Sequence, residues 1–143
     1  MKTDYFVDTV GLEKLLVDYK DVFEMIDDYG QQLIQGILSS GEDYKICLDK
    51  FTGAYITLEP LYTMAVAYKE NEETKSYVSM KRELESKGEK VVAASLEKEA
   101  SISVEIPRRI RNILEGYVES CAKAIGTCQA QLKRLELEYR NKN

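Results

Sequence analysis

Three guanidinium groups fall within four residues at Arg108-Arg109-Ile110-Arg111 in this chain of 143 residues. Planar, permanently charged forks suit recognition of phosphate or carboxylate. Pro107 beside them fits the first turn of a helix. That end of a helix is the positive pole of its dipole, so three cations there require an anion close by. The acidic N-terminal part of the chain can provide one, and so can a phosphate backbone or an acidic partner. Lys133 and Arg134 form a second basic pair, where basic side chains are expected near a helix C-terminus in any case. Arg108, Arg109, Arg111, Lys133 and Arg134 are the candidate contacts for an anion or a partner.

Other chemistries lack their residues. Histidine is absent, which removes the commonest general base near neutral pH and the commonest metal ligand, and with them any Cys-His dyad or Ser-His-Asp triad. Cys47, Cys121 and Cys128 have no C-x-x-C spacing for structural zinc, and neither a P-loop nor a G-x-G-x-x-G occurs. Carboxylate pairs such as Glu13 with Asp21, or Glu70 with Glu73, can share helix faces. Di-metal sites in helical bundles also need Glu-x-x-His pairs, which this chain cannot form. A solvated face is the better reading of these carboxylates. The ten tyrosines without tryptophan invite base stacking, yet Tyr19, Tyr44, Tyr55, Tyr62, Tyr117 and Tyr139 lie on helical apolar stripes and read as core or interface residues. The expectation is a protein that is not an enzyme and holds no metal or cofactor.

The net charge of −5 is modest, but it is unevenly spread: residues 1–43 carry three basic and ten acidic side chains, residues 107–143 eight basic and four acidic. Acidic and basic helices packing beside each other, within a chain or between subunits, account for this split. Cys121 and Cys128 are one heptad apart, about 10 Å along a helix, too far for a disulfide. Reduced thiols serving as small apolar residues fit a cytoplasmic protein, in the host cytoplasm if phage-encoded. No signal segment or membrane span is read in the chain.

The elements that hold these residues are helical. A first helix is expected over 9–38, with Asp8 and Thr9 as capping oxygens and Leu12, Leu15, Leu16, Tyr19, Val22, Phe23, Ile26, Leu33 and Ile37 as its stripe. Gly41 is placed to take a left-handed cap, and Ser40 with Asp43 forms a capping-box pattern. A second helix over 43–68 keeps its phase across Pro60, which predicts one kinked helix in preference to two. Residues 69–106 read as a charged or short helical connection. Within it, 69–87 is either a continuation of the second helix or a loop and a short helix. Gly88 is a stop, and Val92, Leu96 and Ala100 mark a short amphipathic helix. Ser101 to Ile106 alternates with period two, read as an extended connection or helix continuation because a lone strand has no partner.

The last helix is expected over 107–140. Ile110, Leu114, Tyr117, Cys121, Ala124, Cys128, Leu132 and Leu135 form its candidate helix–helix interface, a heptad seam that ends at Tyr139 and carries one stutter. Its waist is small, with Gly116 and Gly126 beside Cys121, Ala124 and Cys128, so a partner helix can approach closely there. The fold class is all-α: a single helical domain, an elongated hairpin or bundle with a long amphipathic C-terminal helix and a Pro60-kinked second helix.

One stretch resembles a known family. Ala94-Ser95-Leu96-Glu97-Lys98-Glu99, Asn112-Ile113-Leu114-Glu115-Gly116-Tyr117, Ala124-Ile125 and Leu132-Lys133-Arg134-Leu135 look like the helical end of UvsY-type recombination mediators of tailed phages. The resemblance spans about residues 90–136 and implies an oligomeric ring that binds single-stranded DNA. Such a role needs cations that neutralise phosphates; in this acidic chain the Arg108–Arg111 region is the candidate. The residues themselves favour a non-catalytic assembly protein, self-associating and binding a protein partner through helical faces, with the DNA-binding mediator as the alternative. Small size and the lack of a housekeeping motif suggest a phage or mobile element as its source.

Overall fold

Ser40 and Asp43 do what their spacing predicts. Ser40 Oγ accepts the Asp43 amide at 3.1 Å, and the Asp43 carboxylate accepts the Ser39 and Ser40 amides, each at 3.3 Å. The first amides of a helix have no intrahelical partner, and this box satisfies one of them, that of Asp43, with a local side chain. Asp8 caps the first α-helix in the same way, accepting the Gly11 amide at 2.9 Å.

The computed structural model describes residues 2–142, with side chains from Asp4 onward. A short 3-10 helix, Lys2–Phe6, precedes five α-helices: α1 (Thr9–Asp18), α2 (Lys20–Gln35), α3 (Gly41–Ser86), α4 (Ala93–Ser103) and α5 (Glu105–Lys142). No strand occurs among the described residues. The protein is all-α with a long C-terminal helix, as its periodicity predicts.

Several boundaries differ from the sequence expectation. The single helix expected over 9–38 is two helices, broken at Tyr19, whose φ of −110° and ψ of 16° lie outside the helical basin. No glycine or proline marks that break; it resides in one residue's backbone, which side-chain periodicity does not report. The left-handed glycine is Gly36 (φ 66°), which donates to the Leu33 carbonyl, whereas Gly41 is the first residue of α3. Of the two alternatives for 69–87, continuation of the second helix is the one found: it runs to Ser86 with Pro60 inside it. Proline frees the carbonyl four residues back, and here that residue, Ile56, is 66% exposed, where water can satisfy it. Helix α3 ends in a Schellman motif on Gly88 (φ 71°): the Gly88 amide donates to Glu85 and the Glu89 amide to Leu84. The alternating run from Ser101 is helix to Ser103, with Val104 (φ −111°, ψ 28°) as the joint before α5. Its period-two pattern resolves as buried Val104 between exposed Ser103 and Glu105, a turn and no strand.

The helices form two compact units, each from two separate stretches. One comprises residues up to Leu15 with Tyr62–Ile113, the other Leu16–Leu61 with the residues from Leu114 onward. In the first unit Phe6, Leu15, Ala65, Leu96, Ala100, Val104 and Ile110 are buried, and the Phe6 ring lies 6.0 Å from that of Tyr68. The 3-10 helix reaches this core because Gly11 of α1 has no side chain: a Cβ there would stand 2.8 Å from the Tyr5 carbonyl oxygen and nearer still to that of Asp4. In the second unit, Phe23 and Ile26 of α2, Cys47, Phe51, Ala54, Leu58 and Leu61 of α3, and Leu114, Val118, Cys121, Ala124 and Cys128 of α5 are buried. Here α3 and α5 run antiparallel: Cys47 meets Cys128, while one turn later Phe51 shares a groove with Ala124.

Candidate partner-binding surface

Of the arginine cluster, Arg108 is engaged by a neighbouring helix of the same unit. Arg108 donates through Nη2 to both the carbonyl and the hydroxyl oxygen of Ser101, in the last turn of α4. That is the negative pole of a helix dipole, where carbonyls lack intrahelical partners. The cation at the start of α5 therefore caps the end of α4. Arg111 donates to the Asn112 side chain at 2.8 Å. Arg109 is exposed and lines an open cavity of about 420 Å³ with Glu105, Arg108, Asn112 and Ile113. In the second basic pair, Arg134 bonds Glu138 at 2.6 Å and Gln131 at 2.8 Å, while Lys133 is exposed. Such exposed i,i+4 pairs contribute only about 0.3–0.5 kcal/mol each.

The α5 seam changes character along its length. Ile110, Leu114, Cys121, Ala124 and Cys128 are buried, Tyr117, Leu132 and Leu135 half-buried, and Tyr139 is 71% exposed. Val118, buried to 8%, belongs to the seam and was not among the expected positions. Following Val118 and Ile125 in place of Tyr117 and Ala124 moves the doubled step of four from Ala124–Cys128–Leu132 to Ile110–Leu114–Val118, so the seam keeps one stutter. Gly116 and Gly126 are exposed, with no heavy atom within 4 Å of a Cβ built on either.

Tyr117 joins α5 to α2. Its ring lies 4.5 Å from that of Phe23, and its hydroxyl donates to the Asp27 carboxylate at 3.3 Å. Burial, then the Asp27 charge, raises its pKa. Beside this contact an apolar groove of about 590 Å³ lies between α2 and α5, with Phe51 of α3 among its lining. Gly30, Ala124 and Ser120 keep it wide, and Ile34 on its rim is 78% exposed.

The three cysteines are free and buried. Burial, with the Cys128 contact, pushes the Cys47 thiol up to about 12, and burial pushes Cys121 up to about 11 and raises Cys128. Burial keeps both members of the Cys47–Cys128 contact neutral, although the contact itself acts to lower Cys128. Of the carboxylate pairs, Glu70 and Glu73 share a cleft of about 510 Å³ with Glu97, but the Lys69 ammonium enters it 2.9 Å from Glu73. Glu13 and Asp21 lie exposed on different helices. Among the described residues no group of three His, Cys, Asp or Glu is placed to hold a metal ion, and no helix is long and apolar enough to cross a membrane. Compared with protein-family models, curated proteins and solved structures, the chain matches none.

Proposed function

We propose that this protein is a non-catalytic assembly protein that self-associates and binds a protein partner through uncovered helical faces. The observation that carries this reading is on α1. Val10 and Val17, one heptad apart, are each 72% exposed, and Val7 before them is 50% exposed. Scattered exposed apolar residues are ordinary, but a stripe in helical register is the form a helix-binding face takes. The side chain between them, Lys14, keeps its ammonium 5.6 Å from the Tyr5 ring centre and leaves the valines uncovered. Affinity purification from the native host tests this directly. The wild-type chain should retain a defined protein that a folded Val10→Glu/Val17→Glu variant loses. Identical recovery by both would sink the reading. Phage or mobile-element provenance accords with it and rests on size and motif content alone.

Binding of single-stranded DNA is the second reading, in line with the resemblance to recombination mediators. Exposed Arg109 beside its open cavity favours it; the engagement of Arg108, Arg111 and Arg134 with neighbours weighs against it. A salt titration with oligonucleotides separates the two, because phosphate-driven binding must appear at about 50 mM salt and fall steeply above it.

A further inference from the structure

Cys47 of α3 and Cys128 of α5 are fully buried in the second unit, and their side chains are in contact. Their meeting follows from the register of the two helices. Buried Cys47, Phe51 and Ala54 step four and three along α3; buried Cys128, Ala124 and Cys121 step four and three backwards along α5. Phe51 and Ala124 line one groove. In this antiparallel pair Cys47 therefore falls opposite Cys128, and Ala54 opposite Cys121. Apart from Phe51 these side chains are alanines and cysteines, which lets the helix axes approach to the lower end of their usual range, roughly 8 Å. Facing Cα atoms then come within the reach of a disulfide. Cys121 has no such partner, because it lies two turns, about 10 Å, from Cys128 and from the level of Cys47.

We propose that Cys47 and Cys128 are an oxidation-dependent latch, forming one intrachain disulfide that fastens α5 to α3 while Cys121 stays a thiol. The oxidant is a small-molecule disulfide such as oxidised glutathione. The Cys128 thiolate, which the Cys47 contact favours, attacks one of its sulfurs and releases the first glutathione as a thiolate. Cys47 then attacks the Cys128 sulfur of the mixed disulfide and releases the second. The two protein thiols give up two electrons and two protons, and these convert the glutathione disulfide to two thiols. Full burial makes the exchange slow in the closed fold; it proceeds when α5 lifts from α3, as in unfolding and refolding. Reduced, the pair is core packing. Oxidised, it ties Leu16–Leu61 to the stretch from Leu114 across the whole of 62–113, and so long a closed loop removes much of the freedom of the unfolded chain.

The test refolds the full chain from urea in a glutathione redox buffer and, in parallel, in excess dithiothreitol. Peptide mapping after alkylation should find Cys47 joined to Cys128 and Cys121 alkylated. The oxidised form should have a urea midpoint higher by at least about 1 M, and dithiothreitol should return it to the reduced value. Cys121→Ala keeps the latch pair and should keep this shift; Cys128→Ala should unfold alike in both buffers. A disulfide that includes Cys121 or joins two copies overturns the proposal, as do thiols that stay free or capped by glutathione. So does a Cys47–Cys128 bond that lowers the midpoint, since it would form only with the helices out of their native register.

Discussion

The seat of the 3-10 helix on Gly11 yields a prediction whose sign is opposite to the usual effect of the same substitution. Gly11→Ala places a methyl 2.8 Å from the Tyr5 carbonyl oxygen and 2.9 Å from its carbon, with the Asp4 oxygen closer still. These are backbone atoms, so relief requires the whole 3-10 helix to move out by about 0.5–1 Å, which forfeits a quarter to a half of the dispersion energy of its contacts. Tyr5 and Phe6, exposed by 8% and 0%, are the side chains that lose packing. Overpacking of this kind costs about 1–3 kcal/mol. Alanine returns up to about 1 kcal/mol of helix propensity, leaving a net loss of up to about 2 kcal/mol. Gly53→Ala on α3 is the control, because a Cβ there has no neighbour within 4 Å; it should gain up to about 1 kcal/mol. Urea unfolding followed at 222 nm measures both. A Gly11→Ala variant stabilised to the same degree as Gly53→Ala would refute the close approach of the 3-10 helix to α1.

Four further outcomes are expected. Native protein at neutral pH should leave all three thiols unmodified by an aromatic disulfide reagent, while unfolded protein reacts fully; rapid native labelling would contradict their burial. Because Cys47 and Cys121 titrate higher in the folded chain than their ordinary 9.0, stability should fall as pH rises from that value towards about 12, and Cys47→Ser should flatten this fall. The Asp43 carboxyl is held below its ordinary 3.8, first by the Ser40 amide and then by that of Ser39. Its contribution is present above that value and lost as pH falls below it, so Asp43→Asn should show a weaker acid dependence of unfolding than wild type. Arg108→Ala should cost about 1.5–3 kcal/mol through its charged bonds to the end of α4, against less than about 0.5 for exposed Arg109→Ala; equal costs would remove the capping role assigned to Arg108.

What the sequence made legible is what depends on neighbours in sequence. Ser40 with Asp43, Asp8 before α1 and Gly88 after α3 act within a few residues of themselves, and their chemistry is complete locally. The stripe through Cys47, Phe51, Leu58 and Ala65 is readable for the same reason, since helical period fixes which side chains share a face. Phe6 is fully buried but sits in a five-residue helix too short to show a period. Arg108 could not be assigned, because its acceptors are backbone and hydroxyl oxygens of another helix, where a search for anions considers charged side chains alone. Leu16 and Ile37 match the apolar stripe and are nonetheless 40% and 60% exposed. Periodicity identifies a face, while the ends of neighbouring helices decide how much of it is covered.

The interleaving of the two units bears on the order in which the chain can fold as it is made. Each unit closes only when a later stretch meets an earlier one: residues up to Leu15 await Tyr62–Ile113, and Leu16–Leu61 await the stretch from Leu114. Neither can fold as a contiguous N-terminal block during synthesis. The apolar faces of α2 and early α3, Phe23, Ile26, Phe51 and Leu58 among them, stay without their α5 complement until Leu114 to Cys128 have left the ribosome. The first unit can be complete by then. A chain halted near residue 113 should therefore hold one finished unit and one open apolar surface, the state in which a chaperone or a second nascent copy would meet it.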